Sequence, residues 1–201
     1  VLPIFKDQKL EGDIAELDTK MSGAITRAIA MGDFTAEAGT AVSLLGNDRV
    51  QRILLLGCGS ADDFDLGSSK KLAQAAGKNL ASTKAREAHI ALESLPLSSE
   101  DSAHFLETLA TEILWSCYVY TETLSKPKNV PSLAKVSVTA ASALTIGKVR
   151  KALNAGVAIG EGVNFTRPLG NLPANICTPT YLSKQARAFG RKHRKLPVSI
   201  P

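Results

Sequence analysis

The sequence predicts an α/β fold, a layered domain with a mixed or largely parallel sheet. Three observations support this. Strand-like and helix-like patterns alternate along the chain. The run 53–56 (Ile, Leu, Leu, Leu) is apolar on both faces, as in a central strand that is covered on both sides. The chain has 201 residues, of which 44% are apolar and 21% charged, a globular composition that suits one domain or one domain plus part of another.

The first third of the chain supplies three strands and a helical stripe. Residues 1–5 form an apolar strand, which we expect to start before Val1, in a segment absent from this sequence. Residues 12–30 have apolar side chains at a spacing of three to four, a helical pattern with a weak point at Gly23. Residues 39–45 and 50–56 are strands that a polar turn divides.

The middle of the chain predicts two more helices and two more strands. Residues 66–81 are a helix that packs through small side chains, and 87–92 are a strand. Ser98 can cap a long helix in which Asp101 suits the positive end of the dipole. Residues 134–140 alternate as a strand.

The last quarter changes character. One long helical pattern covers 144–165 and should end near Pro168, because proline disfavours helix at the residue before it. Thr178 and a proline after it predict a second helix start, Gly190 could end that helix, and 196–200 resemble a new strand. We therefore predict a domain at 1–143, a linker helix and proline-rich junction at 144–175, and the first elements of a second domain at 176–201.

Charge divides the chain at the same place. The formal net charge is +5, yet residues 148–201 have ten Lys or Arg and a single acid, Glu161. This segment is therefore at +9 and the rest at −4. Such an asymmetry favours an acidic partner surface or nucleic acid. Its densest run contains Arg187, Arg191, Lys192, Arg194 and Lys195. Because aromatic residues do not interleave with this run, an interface or solvated role is favoured over nucleic acid.

Residues that could carry chemistry are few. Gly57 and Gly59 follow the central strand, but a dinucleotide fingerprint needs a third glycine where Asp62 stands, so a plain turn is favoured. Cys58 and His89 could form a nucleophilic pair, but a buried thiol and a strand histidine with structural roles are favoured, because a nucleophile also needs a third group that orients it.

Neither a zinc site nor a calcium loop is indicated. The three histidines (His89, His104 and His193) lack zinc-ligand spacing. The acidic cluster lacks the spacing of a calcium loop. It is better placed to put negative charge at the N-terminus of the next helix, which the helix dipole favours. That cluster consists of Asp62, Asp63 and Asp65.

The three cysteines are too few and too scattered for a disulfide framework, which favours a reducing compartment. No apolar run approaches the length of a membrane span, and the first residues do not form a signal peptide. We therefore expect a cytoplasmic protein with no membrane partner.

The stretch 161–182, EGVNFTRPLGNLPANICTPTYL, resembles the junction between the two domains of the leucyl aminopeptidase family (cytosol aminopeptidases, M17 peptidases). Earlier segments also resemble regions of this family, in the same order along the chain. They are Leu17-Asp18 with the run at 22–25, residues 32–34 with 38–39, and the strand 52–59, RILLLGCG. The resemblance extends over nearly the whole chain.

The resemblance implies a macro-domain-like α/β/α N-terminal domain, a long linker helix and a catalytic domain beyond the junction. In that family two divalent metals, zinc or manganese, activate the water that attacks the substrate peptide, and the enzyme is a hexamer. The metal-binding signatures of the family are absent from this chain, which ends at Pro201. The resemblance therefore implies that the full-length protein is a hydrolase. It implies that this fragment is catalytically silent, binds no metal and serves assembly and active-site access.

We expect structural roles at the junction. Arg167 can neutralise the last carbonyls of its own helix, Asn171 and Asn175 can satisfy the backbone of a proline-rich turn, and Thr178 can cap the next helix. That helix should lack its native cover. DNA binding or regulation through the basic segment stays a competing hypothesis, as does ADP-ribose binding, for which we expect no heat in calorimetry.

Overall fold

A computed structural model describes residues 1–140, 144–193 and 199 of the chain. Its strands are β1 (Leu2–Ile4), β2 (Ala41–Leu45), β3 (Arg52–Gly57), β4 (Glu87–Ala91) and β5 (Lys135–Thr139). Its helices are α1 (Gly12–Lys20), α2 (Ala24–Ala30), α3 (Leu66–Ser82), α4 (Ser99–Ser116), α5 (Ile146–Asn171) and α6 (Pro179–Lys192). The predicted strand at 196–200 falls on residues outside the described ranges.

The sheet is mixed. β1 pairs parallel with β3, β2 pairs antiparallel with β3, and β4 pairs parallel with β5. Val1 joins the two groups, since its amino group donates to the His89 carbonyl and its own carbonyl accepts from the Ala91 N–H. The strand order is therefore β2-β3-β1-β4-β5. Among the strands of the described ranges, only β2 runs antiparallel to the others.

Helices cover both faces of this sheet, which confirms the predicted layered α/β arrangement. In β3, Ile53 and Leu55 belong to the core under α1 and α2, while Leu54 and Leu56 belong to the core under α3 and α4. Leu55 and Leu56 are at most 1% exposed. The four-residue apolar run is thus explained by burial on both sides.

The helical stripe at 12–30 is two helices and not one. Ser22 and Gly23 both have positive φ angles, 55° and 74°, and separate α1 from α2. Asp18, only 7% exposed, accepts a hydrogen bond of 2.7 Å from the Ile25 N–H in the first turn of α2. The chain reverses here because the buried carboxylate satisfies donors that a new helix start exposes.

Helix α4 lies between α3 and α5 and touches both through glycine. A methyl group at Gly77 of α3 would lie 2.6 Å from the Glu112 carbonyl oxygen. On the other side, a methyl group at Gly156 of α5 would lie 2.1 Å from the Glu107 carbonyl oxygen. The three helices approach so closely because these positions have no side chain.

The end of α5 was predicted wrongly. The helix continues through Pro168 to Asn171, three residues beyond the predicted end near Pro168. Proline removes one backbone donor, but contacts between the end of α5 and the end of α4 hold the last turn in place. Helix α6 likewise passes Gly190 and ends at Lys192. The boundary predicted near residue 143 falls among undescribed residues, so the domain division stays a prediction.

Candidate functional site

The corner between α5 and α6 contains most of the residues that the sequence singled out. Its first component is Arg167, whose guanidinium lies over the Tyr118 ring, 4.5 Å from the ring centre. The same side chain donates a hydrogen bond of 2.9 Å to the Trp115 carbonyl in the last turn of α4. A cation at the C-terminus of a helix is favourable, because the terminal carbonyls have no partner within the helix.

This position corrects one expectation. We expected Arg167 to neutralise the carbonyls of its own helix, but the guanidinium serves the neighbouring helix α4. The reason is that α4 ends beside Arg167 and offers it both the Trp115 carbonyl and the Tyr118 ring. Asn164 and Asn171 complete the contact, through bonds of 2.9 Å to the Leu114 carbonyl and 3.2 Å to the Tyr118 hydroxyl. Asn171 therefore bonds to a side chain beyond the end of α4 and not to the backbone of the proline-rich turn, which corrects a second expectation.

We call Asn164, Arg167 and Asn171 the polar clamp. They are spaced at three and four residues, so they lie on one face of α5. Their partners belong to residues 114–118, at the end of α4. The clamp fixes the C-terminal end of α5 against the end of α4.

The turn after the clamp is short and bonded to itself. The Pro173 carbonyl accepts from the N–H groups of Ile176 and Cys177, at 2.9 and 3.0 Å. Asn175 lies exposed in this turn. Thr178 then caps α6, where its hydroxyl accepts from the Tyr181 N–H at 3.3 Å. Proline at the first position of α6 agrees with this start.

Helix α6 has two opposite faces and no buried residue. Leu182, Ala186 and Phe189 lie on one face at helical spacing, and the Phe189 ring stacks 5.0 Å from the Phe165 ring of α5. Leu182 is 43% exposed. The opposite face carries the exposed cations Lys184, Arg187 and Arg191.

The candidate basic run is only partly described. Arg187, Arg191 and Lys192 are exposed on the last two turns of α6. Arg194 and Lys195 lie outside the described residues. Among the residues that are described from 148 onward, Glu161 is the single acid, so this surface is strongly positive.

The glycine turn after β3 does not present free amide groups. The N–H of Gly57 bonds to the Thr40 carbonyl, that of Cys58 to the Ile4 carbonyl, and that of Gly59 to the Ala36 carbonyl. A phosphate loop needs such donors for its ligand. The turn instead joins β3 to its neighbours, as the incomplete fingerprint suggested.

Cys58 and His89 are engaged elsewhere. Burial raises the pKa of the Cys58 thiol to about 12, and the residue is only 2% exposed, so it is not a reactive thiolate. The two ring nitrogens of His89 lie 2.9 Å from the Ser137 hydroxyl and 2.7 Å from the Thr139 hydroxyl. The histidine joins β4 to β5 on the face of the sheet.

The acidic cluster before α3 supplies a helix cap. Asp65 accepts a bond of 2.7 Å from the Ser68 N–H, and this hydrogen bond lowers the pKa of the carboxyl group. Within the described ranges, no three His, Cys, Asp or Glu side chains form a group that could hold a metal ion. The described residues therefore do not fit the metals that the resemblance implies.

Sequence reasoning missed three members of the corner: Asn164, Trp115 and Tyr118. A spacing of three or four from Arg167 could have pointed to Asn164, which shares its helix face. Nothing in the local sequence could have indicated Trp115 or Tyr118, because their contact with Arg167 depends on how α4 and α5 pack.

None of the described helices is both long and apolar enough to cross a bilayer. The family model for "Cytosol aminopeptidase family, N-terminal domain" matches residues 1–127. A probable cytosol aminopeptidase of Nitrosococcus oceani is 33% identical over 204 residues, which include 100% of this chain and 40% of that protein. The chain thus spans about two fifths of the length of such relatives.

Two solved structures share the fold. A mutant of tomato leucine aminopeptidase has a TM-score of 0.74 at 24% identity, with 96% of this chain and 39% of that chain covered. The bottromycin maturation enzyme BotP in complex with Mn has a TM-score of 0.67 at 20% identity, with 95% and 35% covered. At these identities the likeness shows the fold alone.

Proposed function

Because this chain belongs to the cytosol aminopeptidase family, we propose that it is the non-catalytic N-terminal part of a bacterial-type leucyl aminopeptidase. That enzyme would be a metal-dependent exopeptidase that removes N-terminal residues from peptides. The match to the N-terminal domain of the family over residues 1–127 carries this proposal. The chain also covers only 40% of the length of its curated relatives, which leaves room for a separate catalytic part.

The corner supports an assembly role for this fragment. Helix α6 leaves the body with Leu182 uncovered on its apolar face, and the polar clamp fixes the point from which it leaves. A segment that is fixed at its base and unburied along its length suits contact with a following domain. We assign Arg167, Asn171, Asn175 and Thr178 to the shape of this junction and give them no part in substrate chemistry.

We assign the two divalent metals, zinc or manganese, to the catalytic part that follows the junction. The manganese complex of BotP, which shares this fold, is consistent with metal dependence among proteins of this architecture. Metal ions would polarise the substrate carbonyl and activate water there. We derive no catalytic step for the residues of this chain.

The test compares two proteins in one assay. The 201-residue chain and the full-length gene product are incubated with a leucyl anilide and Mn²⁺, and release of the anilide is followed. We expect hydrolysis by the full-length product and none by the chain. Activity of the chain alone would contradict the assignment, and a full-length product inert towards all aminoacyl substrates would remove the aminopeptidase function.

We further propose a cytoplasmic homo-hexamer for the full-length protein, with its own catalytic domain and peptide substrates as partners. Sedimentation equilibrium of the full-length product should give six copies. A monomer at micromolar concentration would contradict this. The chain alone need not assemble, since its part in the hexamer would act through the catalytic domain.

A second candidate function is DNA binding through the basic face of α6. Lys184, Arg187 and Arg191 point away from the apolar face and are open to a phosphate backbone. Affinity for duplex DNA should then fall linearly with the logarithm of salt concentration, with a slope that reports the number of phosphate contacts. The absence of binding even at low salt would remove this candidate.

A further inference from the structure

Strand β5 is the last strand of the sheet within the described ranges, and the backbone groups of two of its five residues point away from the sheet. The Lys135 N–H donates to the Arg86 carbonyl, and the Thr139 carbonyl accepts from the Leu92 N–H. Both residues therefore face β4. Because successive residues of a strand alternate, the N–H and C=O groups of Val136 and Val138 face outward from the sheet.

An open apolar groove lies beside this edge. Its volume is about 720 Å³, and its walls are β5, α4 and the first half of α5. Leu109 and Ile113 of α4 and Leu153 of α5 lie along it. The side chains of Val136 and Val138 pack against the same core but stay partly exposed. An additional strand beside β5 would place alternate side chains over this groove.

The charge of the groove has one sign. Lys135 and Arg150 are the charged residues that line it. Lys135 already lies 3.9 Å from a Glu87 carboxylate oxygen. Within the described part of the chain, no acid lies within ion-pair distance of Arg150, so this cation is the unbalanced charge at the groove.

We propose that β5 and this groove accept an extended peptide strand of a partner protein. The strand has apolar side chains at alternating positions and a carboxylate that reaches Arg150. Backbone bonds to Val136 and Val138 would supply affinity, and the groove would select the apolar side chains, as in other cases of strand addition. This interaction surface is independent of the aminopeptidase assignment.

The probe is a seven-residue synthetic peptide with an N-terminal glutamate followed by alternating valine and serine, labelled with fluorescein. Fluorescence anisotropy should show saturable binding to the chain, and the amide NMR signals of Val136 and Val138 should shift. Two N-methylated versions of the peptide form a matched pair. Methylation of the amides on one edge of the peptide should weaken binding at least tenfold, while methylation on the other edge should leave it unchanged.

Protein variants test the same geometry. Val138→Pro removes an outward N–H without loss of a bond to β4, and we expect at least tenfold weaker binding. Ser43→Pro is the matched control, because its N–H points outward from β2 at the opposite edge of the sheet, and binding should persist. Arg150→Gln should weaken binding of the glutamate peptide severalfold. It should not change the binding of a second peptide in which glutamine replaces the glutamate. Circular dichroism should confirm that each variant is folded.

Three results would overturn the proposal. The first is no saturation at millimolar peptide. The second is equal loss of binding in both proline variants, or equal effects of the two N-methylated peptides. The third is a dimer of the chain that the peptide dissociates, because the occupant would then be a second copy and not a partner strand.

Discussion

The two halves of α5 contact the same helix, α4, by different means. In the first half, Gly156 brings the backbone of α5 against the main chain of α4, where an added methyl group would lie 2.1 Å from the Glu107 carbonyl oxygen. The Thr111 hydroxyl bonds to the Gly156 carbonyl at 3.1 Å in this region. In the second half, the polar clamp joins the two helices through side-chain hydrogen bonds and the stacking of Arg167 on Tyr118.

The two halves of α5 should differ in how much stability a substitution costs. A contact between two backbones leaves no room for added atoms. A larger side chain at such a position therefore overlaps with its neighbours and lowers the free energy of unfolding strongly. A contact through exposed hydrogen bonds loses only the net value of those bonds, which is much smaller. We therefore expect the first half of α5 to determine the stability of the body and the second half to determine the direction of α6.

The largest expected effect tests the first half. Gly156→Ala should lower the free energy of unfolding by about 2 kcal/mol, because the new methyl group meets the Glu107 carbonyl oxygen and overpacking exceeds the gain in helix propensity. Urea denaturation measures this. Gly162→Ala is the control, since no atom lies within 4 Å of its added methyl group, and it should be neutral or stabilising. Equal losses in both variants would refute the close contact.

The next effect tests the clamp. Arg167→Ala should cost about 1.5 kcal/mol, since it removes one charged hydrogen bond to the Trp115 carbonyl and the contact with the Tyr118 ring. Arg167→Lys should recover part of this loss, because lysine keeps the charge but has no planar group to stack. The fluorescence of Trp115, the single tryptophan, reports the local change alongside urea denaturation. Exposed Arg150→Ala should cost nothing measurable in the same experiment.

A gain in stability is expected from Pro168→Ala. Alanine restores the backbone donor that proline lacks within α5, and we expect about 1 kcal/mol of added stability, less than in the middle of a helix. Thermal unfolding checks the sign. A loss of stability would mean that the rigid ring supports the corner more than the missing hydrogen bond weakens it.

The smallest effect concerns α6. Phe189→Ala removes the stacking on Phe165, and amide exchange in α6 should accelerate by about twofold to threefold, which corresponds to about 0.5 kcal/mol. The melting temperature of the body should not change, because α6 has no buried residue. Lys184→Ala, on the opposite face, should leave amide exchange unaltered. A large drop in global stability would show that α6 belongs to the core.

The sequence predicted those elements whose signals are local. The apolar run at 53–56 predicted a doubly covered strand, and Ser98 and Thr178 predicted the helix starts that their hydroxyls cap. The order of the strands was beyond such reasoning, since the pairing of β1 with β3 depends on side chains that are about fifty residues apart.

Two misses show where tertiary contacts override local rules. Gly23 was recognised as a weak point, but the helix break also needed Asp18, whose carboxylate reaches the next helix seven residues on. Pro168 predicted a helix end because its local preference is clear, yet contacts with α4 kept the helix intact. The partners of Arg167 could not be predicted at all, because they lie some fifty residues earlier in the chain.

Helix α5 also acts as a mechanical arm. From the close contact at Gly156 to its end at Asn171, the helix extends over about 22 Å at the standard rise per residue. Without the polar clamp, a tilt of about 5° about that pivot would displace the start of the α6 corner by about 2 Å. The clamp lies at the far end of this arm, where it opposes such a tilt most effectively, so it holds the surface from which α6 projects in one position.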